Sequence, residues 1–241
     1  MNDSVRLIVT SFLAAVAAMT LASCSNTAVG VRSAIDVPVV GSAGQGAIVT
    51  SDFSVGTSYG LAFEADFGPI LRGRIETTLR NVSVRSELGT IRPDPGNPRP
   101  TSGYLDAQYQ LIDIPAFVTY LARGNDHITP FFGFGGVLTL GRGLTWNAQY
   151  TNWSLNDDNE WYRYTVNDEH TQGALEAGFS ALFTMGTSFH LATSLDAQVD
   201  VRLAHRLSDP SVSARWSSER LNELYLPTTS VVFGAGIVIR L

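Results

Sequence analysis

The residues with the most chemical promise lie near the end of the chain. Arg202, Leu203, Ala204 and His205 put a guanidinium and an imidazole three positions apart, and an imidazole within hydrogen-bond reach of a serine hydroxyl can activate it as a nucleophile. The position two residues after His205 is Leu207, and Ser208 comes one place later, on the opposite face of an extended strand. Glu219 stands at a separation suited to orienting the histidine, but an acid and a base without a nucleophile on their own face transfer no acyl group. The remaining histidines, His127, His170 and His190, share no metal-ligand spacing with His205 or with one another. Asp157, Asp158, Asn159 and Glu160 lack the spaced acids and the glycine of a calcium loop. The single cysteine, Cys24, excludes internal disulfides and a cysteine-based zinc site. No metal, cofactor or catalytic residue is expected.

A second set is larger and follows a stricter rule. Glu64, Asp66, Arg72, Arg74, Glu76, Arg80, Glu176, Asp196, Asp200, Arg202 and Arg240 all occupy even positions, with apolar or small residues at the odd positions between them. A period of two is the signature of a β-strand, so each run carries its charges on one face. Mixed in sign, such rows can neutralise one another inside an enclosed space, where charges persist only when paired. The alternative chemistry is a narrow ion pathway lined by both signs.

The elements that position these rows are about eight alternating segments. They fall at residues 29–39, 59–67, 71–80, 104–121, 129–140, 174–183, 189–203 and 231–241. In the second, Tyr59, Leu61, Phe63, Ala65 and Phe67 oppose Gly60, Ala62, Glu64 and Asp66; in the seventh, Phe189 to Leu203 gives the longest unbroken alternation. The fourth changes parity midway, from Leu105, Ala107, Tyr109 and Leu111 to Ile112, Ile114, Ala116, Val118 and Tyr120. That change predicts a bulge at residues 111–113, and Pro115, which lacks a ladder donor, fits a bulge or a strand end. Short links are expected at Gly68-Pro69, 122–127 and 185–187, and long ones at 40–56, 85–102, 142–171 and 205–227. Whether 40–56 adds strands is open.

Orientation decides the class. The chain has 241 residues, a net charge of -6 and only 16% charged residues, and all of its 16 basic residues are arginine without a basic run. Nucleic-acid binding is excluded on that count. An eight-stranded barrel has an interior that side chains just fill, which suits the charged parity. Facing lipid at mid-depth, each arginine would cost about 2–4 kcal/mol, so the apolar parity belongs outside. A soluble barrel of lipocalin type would leave a solvent face of Ala, Gly and Ser with few charges, and the Gly-x-Trp of its first strand is missing. The expected fold is all-β: a transmembrane antiparallel up-and-down β-barrel of about eight strands in the bacterial outer membrane. With short periplasmic turns and long outer loops, an even strand number puts both termini in the periplasm.

The termini carry export signals. Arg6 followed by the apolar stretch 7–18 reads as a signal peptide over residues 1–23, too short for a membrane span. Leu21-Ala22-Ser23-Cys24 matches a lipobox, in which Cys24 receives a diacylglycerol, and residues 24–241 form the barrel domain. At the other end, Gly236-x-x-Ile239-x-Leu241 looks like the closing signal read by the barrel assembly machinery, with Leu241 in place of the usual aromatic.

Two resemblances add to this. Tyr109-Gln110-Leu111-Ile112-Asp113-Ile114-Pro115-Ala116-Phe117-Val118-Thr119-Tyr120, a short turn, then Thr129-Pro130-Phe131-Phe132-Gly133-Phe134-Gly135-Gly136 resembles the outer membrane protein β-barrel domain family, PorT-like proteins included. The resemblance implies the barrel fold and no shared catalytic residues. Arg202-x-x-His205 looks like the motif of outer-membrane lipid A deacylases, but the serine that family uses two residues later is Leu207 here. The segment 143–170 carries Trp146, Tyr150, Trp153, Trp161, Tyr162 and Tyr164 with Asp157, Asp158, Glu160, Asp168 and Glu169. It reads as an interfacial aromatic girdle, or as an exposed site for a glycan, cation or other extracellular ligand. The function expected is a structural or surface-interaction role among outer-membrane lipids, with a charge-plugged lumen; a lipid-modifying hydrolase and a narrow channel are the rivals.

Overall fold

The computed structural model describes residues 27–40, 48–88, 102–125, 127–172, 175–208, 214–216, 219–221 and 228–241. The signal segment and Cys24 lie outside them. The strands are β1 (Thr27–Val40), β2 (Ile48–Phe53), β3 (Gly56–Asp66), β4 (Leu71–Leu88), β5 (Ser102–Leu121), β6 (Ile128–Leu155), β7 (Trp161–Gln172), β8 (Leu175–Ala192), β9 (Leu195–Ser208), β10 (Ala214–Trp216), β11 (Glu219–Leu221) and β12 (Thr229–Arg240). Among the described residues there is no helix.

Eight of the strands close into a ring. β1, β3, β4, β5, β6, β8, β9 and β12 each pair antiparallel with the next, and β12 returns to β1 through a register running from Ala28↔Arg240 to Val40↔Thr229. Closure removes the free edges that an open sheet would present to lipid. One end of the barrel holds the short links: 67–70, where Gly68 takes φ 127°, then 122–127 and the two-residue turn 193–194. Thr27 and Arg240 lie at that same end, where the Leu241 N–H donates to the Thr27 carbonyl at 2.9 Å. At the opposite end the strands overrun the ring, and β2 pairs with the extension of β4 while β7 pairs with that of β6.

Outside, the wall is oily. Val31, Leu61, Phe134, Leu191, Phe233 and Ile237 are all exposed, Phe134 at 74%. On β4 the outward positions run Leu71, Gly73, Ile75, Thr77 and Leu79 and then turn polar at Asn81, Ser83, Arg85 and Glu87. Nine strand residues tilted by about 40° rise roughly 20–25 Å, the height of an outer-membrane apolar band.

The change of parity on β5 has the same origin, and no bulge on that strand causes it. Odd positions of β5 face inward along its whole length: Leu105, Ala107, Tyr109 and Leu111, then Asp113, Pro115, Phe117 and Thr119, all buried. What changes is the surroundings. Above Ile112 the even side meets water with Tyr104, Asp106, Gln108 and Gln110 while the interior becomes apolar; below it the even side meets lipid. β4 switches at the same height, since Leu79 pairs with Ile112 and Val82 with Tyr109. Burial in this upper layer pushes the Tyr109 phenol above its ordinary pKa.

A bulge does exist at this level, on the neighbouring strand. Gln110 pairs with Gly143 and Leu111 with Gly141, so Arg142 of β6 is the extra residue. It turns the inward parity of β6 from Phe131, Val137 and Thr139 to Leu144 and Trp146. Pro115 sits in mid-strand, and the β4–β5 ladder lapses beside it, between Ile75↔Ala116 and Thr78↔Asp113. There the Thr78 hydroxyl donates to the Asp113 carbonyl at 3.4 Å.

Two further expectations change. Residues 185–187 are mid-strand in β8, and the turn is Thr193–Ser194. A two-residue turn pairs residues of opposite parity, Ala192 with Leu195, but the extra residue Leu191 restores even-to-even pairing at His190↔Asp196. The alternation therefore reads through the turn unbroken. The segment 143–170 is largely the β6–β7 hairpin, closed by a five-residue turn in which Asn156 donates to Glu160 and Asn159 takes φ 60°. Trp146 is buried inside, and Tyr162 and Tyr164 are exposed beyond the apolar band, so none of the three joins an interfacial girdle.

Candidate functional site, the luminal charge network

Even positions of β3, β4, β9 and β12 point inward, and so do Arg32 and Asp36 of β1 and Asp113 of β5. At the centre stands Glu76, whose side chain is fully buried. Arg202 donates to it twice, Nη1 to Oε2 at 2.7 Å and Nη2 to Oε1 at 2.6 Å. Arg74 Nε lies 2.6 Å from Oε1 and Arg32 Nε 3.5 Å from Oε2. Three guanidiniums from three strands thus surround one carboxylate. Asp200 balances them, held by both terminal nitrogens of Arg32 and by Arg202 Nε at 3.1 Å.

Toward the short-turn end the network continues. Arg74 contacts Glu64 at 2.9 Å, and Gln198 bridges by accepting from Arg74 and donating to Glu64 at 3.0 Å. Arg72 joins Glu64 to Asp66, at 3.1 and 2.6 Å. Arg240 donates to Asp196 at 2.7 Å, and His190 places Nδ1 2.7 Å from the other Asp196 oxygen and Nε2 2.9 Å from the Thr129 hydroxyl. Toward the long-strand end Arg80 links Asp36 to Asp113, with Nε 2.6 Å from Asp113, and the Thr139 hydroxyl donates to Asp113 at 2.6 Å.

The opposite wall is apolar. Phe117, Val137 and Leu182 form a buried cluster with Ala204 packed on it. The Phe117 ring lies 4.8 Å from the Arg202 guanidinium and 5.9 Å from that of Arg74, so the aromatic face backs the cations. Between the two walls lies a cavity of about 80 Å³, bounded by Arg80, Asp36, Phe179 and Arg206. That is well below the roughly 300 Å³ at which small-molecule pockets begin.

Of the charged residues singled out from the sequence, Glu64, Asp66, Arg72, Arg74, Glu76, Arg80, Asp196, Asp200, Arg202 and Arg240 meet in this network. The Glu176 side chain lies outside the described residues, as does Cys24. Arg32, Asp36, Asp113, Gln198 and His190 are further members, beyond the charged residues singled out from the sequence. Arg32 and Asp36 share one parity with Ala28, Gly30 and Ala34, and that spacing was the available signal. Asp113 was obscured by the bulge assigned to its strand, and Gln198 by its lack of charge.

The hydrolase constellation does not assemble. Arg202 points into the lumen, whereas His205, an odd position, is exposed and places Nδ1 2.9 Å from the Thr229 hydroxyl. The Ser208 hydroxyl accepts from the Phe179 N–H at 2.9 Å. Among the described residues no group of three or more His, Cys, Asp or Glu side chains is placed to hold a metal ion.

A closed antiparallel ring, an apolar outer band and a charged interior decide the class. The chain is an outer-membrane β-barrel. Its fold matches the solved structure of the outer membrane protein OprG from Pseudomonas aeruginosa, with a TM-score of 0.58 at 12% identity over 91% of this chain and 97% of that one. Weaker matches are Neisserial surface protein A, with a TM-score of 0.46 at 13% identity over 89% of this chain and 98% of that one, and the attachment invasion locus protein Ail of Yersinia pestis, at 0.39 and 7% over 90% and 98%. No family model matches the chain, and no curated protein does. At such identities the likeness is one of fold alone.

Proposed function

We propose that this barrel is a non-conducting outer-membrane protein that acts through its long-strand end, in a surface-interaction role and without enzymatic activity. The observation that carries the reading is Glu76, at 0% side-chain exposure, clamped by Arg32, Arg74 and Arg202 across the middle of the lumen. An ion entering would have to displace pairs whose side chains are shut off from bulk solvent. With the lumen closed, the parts left to meet a partner are the extensions of β4 to β7.

The short-turn end is periplasmic on this reading, and so are both termini, which suits a lipid on Cys24 entering the inner leaflet just before β1. The Ile-Pro hairpin of β5 and β6 supports a place among divergent PorT-like members of the outer membrane protein β-barrel domain family. Against a lipid hydrolase speaks the separation of Arg202 and His205 onto opposite faces of β9. Planar-bilayer recording tests the central point: purified barrel should give no conductance steps, and Glu76→Ala with Asp200→Ala should open them. Steady unit conductance from the unaltered protein would overturn the plugged-lumen reading in favour of a narrow channel.

A further inference from the structure

β7 is an edge strand. It pairs with β6 from Leu144↔Gln172 to Leu155↔Trp161, and among the described residues nothing pairs with its other side. β8 resumes the same side of β6 lower down, at Gly141↔Leu175, and β9 reaches only as far as Phe179↔Ser208. The hairpin therefore stands free of the ring. Tyr162, Arg163, Tyr164, Thr165 and Asn167 are all exposed, which means both of its faces meet solvent.

The turn fixes which backbone groups of β7 point away from β6. Asn156 N–H donates to the Glu160 carbonyl, so the bonded pairs with β6 fall on even positions of β7: 162, 164, 166 and 168. The N–H and C=O groups of Arg163, Thr165, Asn167 and Glu169 point away from β6. Proteins guard such an edge with Pro, a bulge or charged side chains. Residues 161–172 hold neither Pro nor a bulge, and their charges, Arg163, Asp168 and Glu169, are of both signs, so a second copy of the edge can match them.

We infer that this edge pairs with the same edge of a second copy, antiparallel, joining barrels in two facing membranes. Charge selects the register. Pairing about a two-fold axis at Val166 sets Arg163 opposite Glu169, Thr165 opposite Asn167 and Tyr164 opposite Asp168, so both copies put the strand's only arginine against an acid. Moving the axis by one position in either direction, to Thr165 or Asn167, sets Arg163 against Asn167 or Thr171 and loses both matches. An axis on any of these residues pairs odd positions with odd ones, whose groups point away from β6; with the axis at Val166 the four pairs between 163 and 169 exchange about eight hydrogen bonds.

Direction decides which membranes. Two copies in one membrane are related by an axis along its normal, and strands tilted by about 40° then both run the same way up. An antiparallel match between identical tilted strands needs an axis in the membrane plane, the relation between two apposed surfaces. One contact of this size is weak, and many copies per surface make it effective. The inference rests on the long-strand end facing outward, as proposed above.

The test uses the whole protein reconstituted in phospholipid vesicles, with clustering followed by turbidity and folding of each variant checked by its mobility before and after boiling. Unaltered vesicles should cluster. Thr165→Pro removes a donor from the free side while sparing the β6 ladder, and should cut clustering by about tenfold or more. Arg163→Glu and Glu169→Arg should each abolish clustering with themselves, because like charges then face each other. Mixing the two vesicle populations should restore it, since the R163E edge complements the E169R edge. A mixture that stays dispersed, single variants that cluster normally, or unaltered vesicles that never cluster would each overturn self-pairing. Protease access to the hairpin on intact cells is a separate readout: a hairpin cleaved only after permeabilisation sinks the outward orientation, whatever the vesicles do.

Discussion

Arg202 and Glu76 meet through two parallel hydrogen bonds, of 2.7 and 2.6 Å, between strands β9 and β4 on opposite arcs of the barrel. Removing one partner of a buried pair leaves the other charge stranded, which costs about 3–5 kcal/mol, whereas removing both with apolar replacements costs far less. Glu76→Ala leaves Arg32, Arg74 and Arg202 facing one another and should be among the most damaging single changes in the lumen. Urea unfolding in vesicles, read by tryptophan fluorescence, should show Glu76→Leu with Arg202→Met less destabilised than the sum of the two singles by about 1–3 kcal/mol. Strict additivity would mean that the pair does not act as a unit.

The lumen also depends on a missing side chain. A Cβ at Gly234 of β12 would land on the guanidinium of Arg32, the group that holds Asp200. Gly234→Ala should push Arg32 aside and cost about 1–3 kcal/mol, a typical overpacking penalty. Arg32→Ala in the same background should recover only the steric part, because Asp200 then loses a partner. A Gly234→Ala barrel as stable as the parent would show that Arg32 has room to move.

How much of this was legible in the sequence depends on what surrounds each face. Within the band, lipid outside and charge inside make the alternation of β3, β4 and β9 plain, and ten luminal residues could be picked out by parity. Above the band β4 and β5 exchange apolar and polar faces without changing register between them, so Leu111 followed by Ile112 imitates a bulge. The Thr193–Ser194 turn was hidden for the converse reason: the extra residue at Leu191 keeps the parity intact across it. Sequence pattern reports the medium on each side of a strand, and register only when that medium is constant.

That reading makes a prediction on one strand and one face. Ile75 and Ser83 both point outward from β4, Ile75 in the middle of the apolar band and Ser83 above the switch at Leu79↔Ile112. Arginine near the bilayer midplane costs about 2–4 kcal/mol, falling toward zero outside the hydrocarbon. Ile75→Arg should therefore destabilise the barrel by that amount in vesicle unfolding, and Ser83→Arg should leave it unchanged. Equal costs at the two positions would place the water boundary elsewhere.

The proposed anchor has a direct readout. Cys24 stands three residues before β1 begins at Thr27, at the end of the barrel where β12 finishes. Cells fed a tagged palmitate should label the protein, and Cys24→Ala should lose the label while the barrel still resists unfolding at room temperature in detergent. Unlabelled parent protein would leave an ordinary signal peptide as the export route.

The bulge on β6 gives a prediction of register. Arg142 is the single extra residue between Leu111↔Gly141 and Gln110↔Gly143, and beyond it Leu144 and Trp146 face inward, Trp146 at 3% exposure. Deleting Arg142 should therefore remove the bulge and leave the faces as they are, because Gly141, Gly143 and Leu144 then alternate in, out and in against Leu111, Gln110 and Tyr109. Residues directly opposite on paired strands share a face, so Leu144 stays with Tyr109 and Trp146 with Ala107 inside the apolar layer. The expected result is a tryptophan emission, a protease resistance between 144 and 172 and a mobility before and after boiling all equal to the parent. A red-shifted emission with fast proteolysis of the hairpin would mean that Leu144 and Trp146 had turned outward, and that Arg142 is not the residue that sets the register.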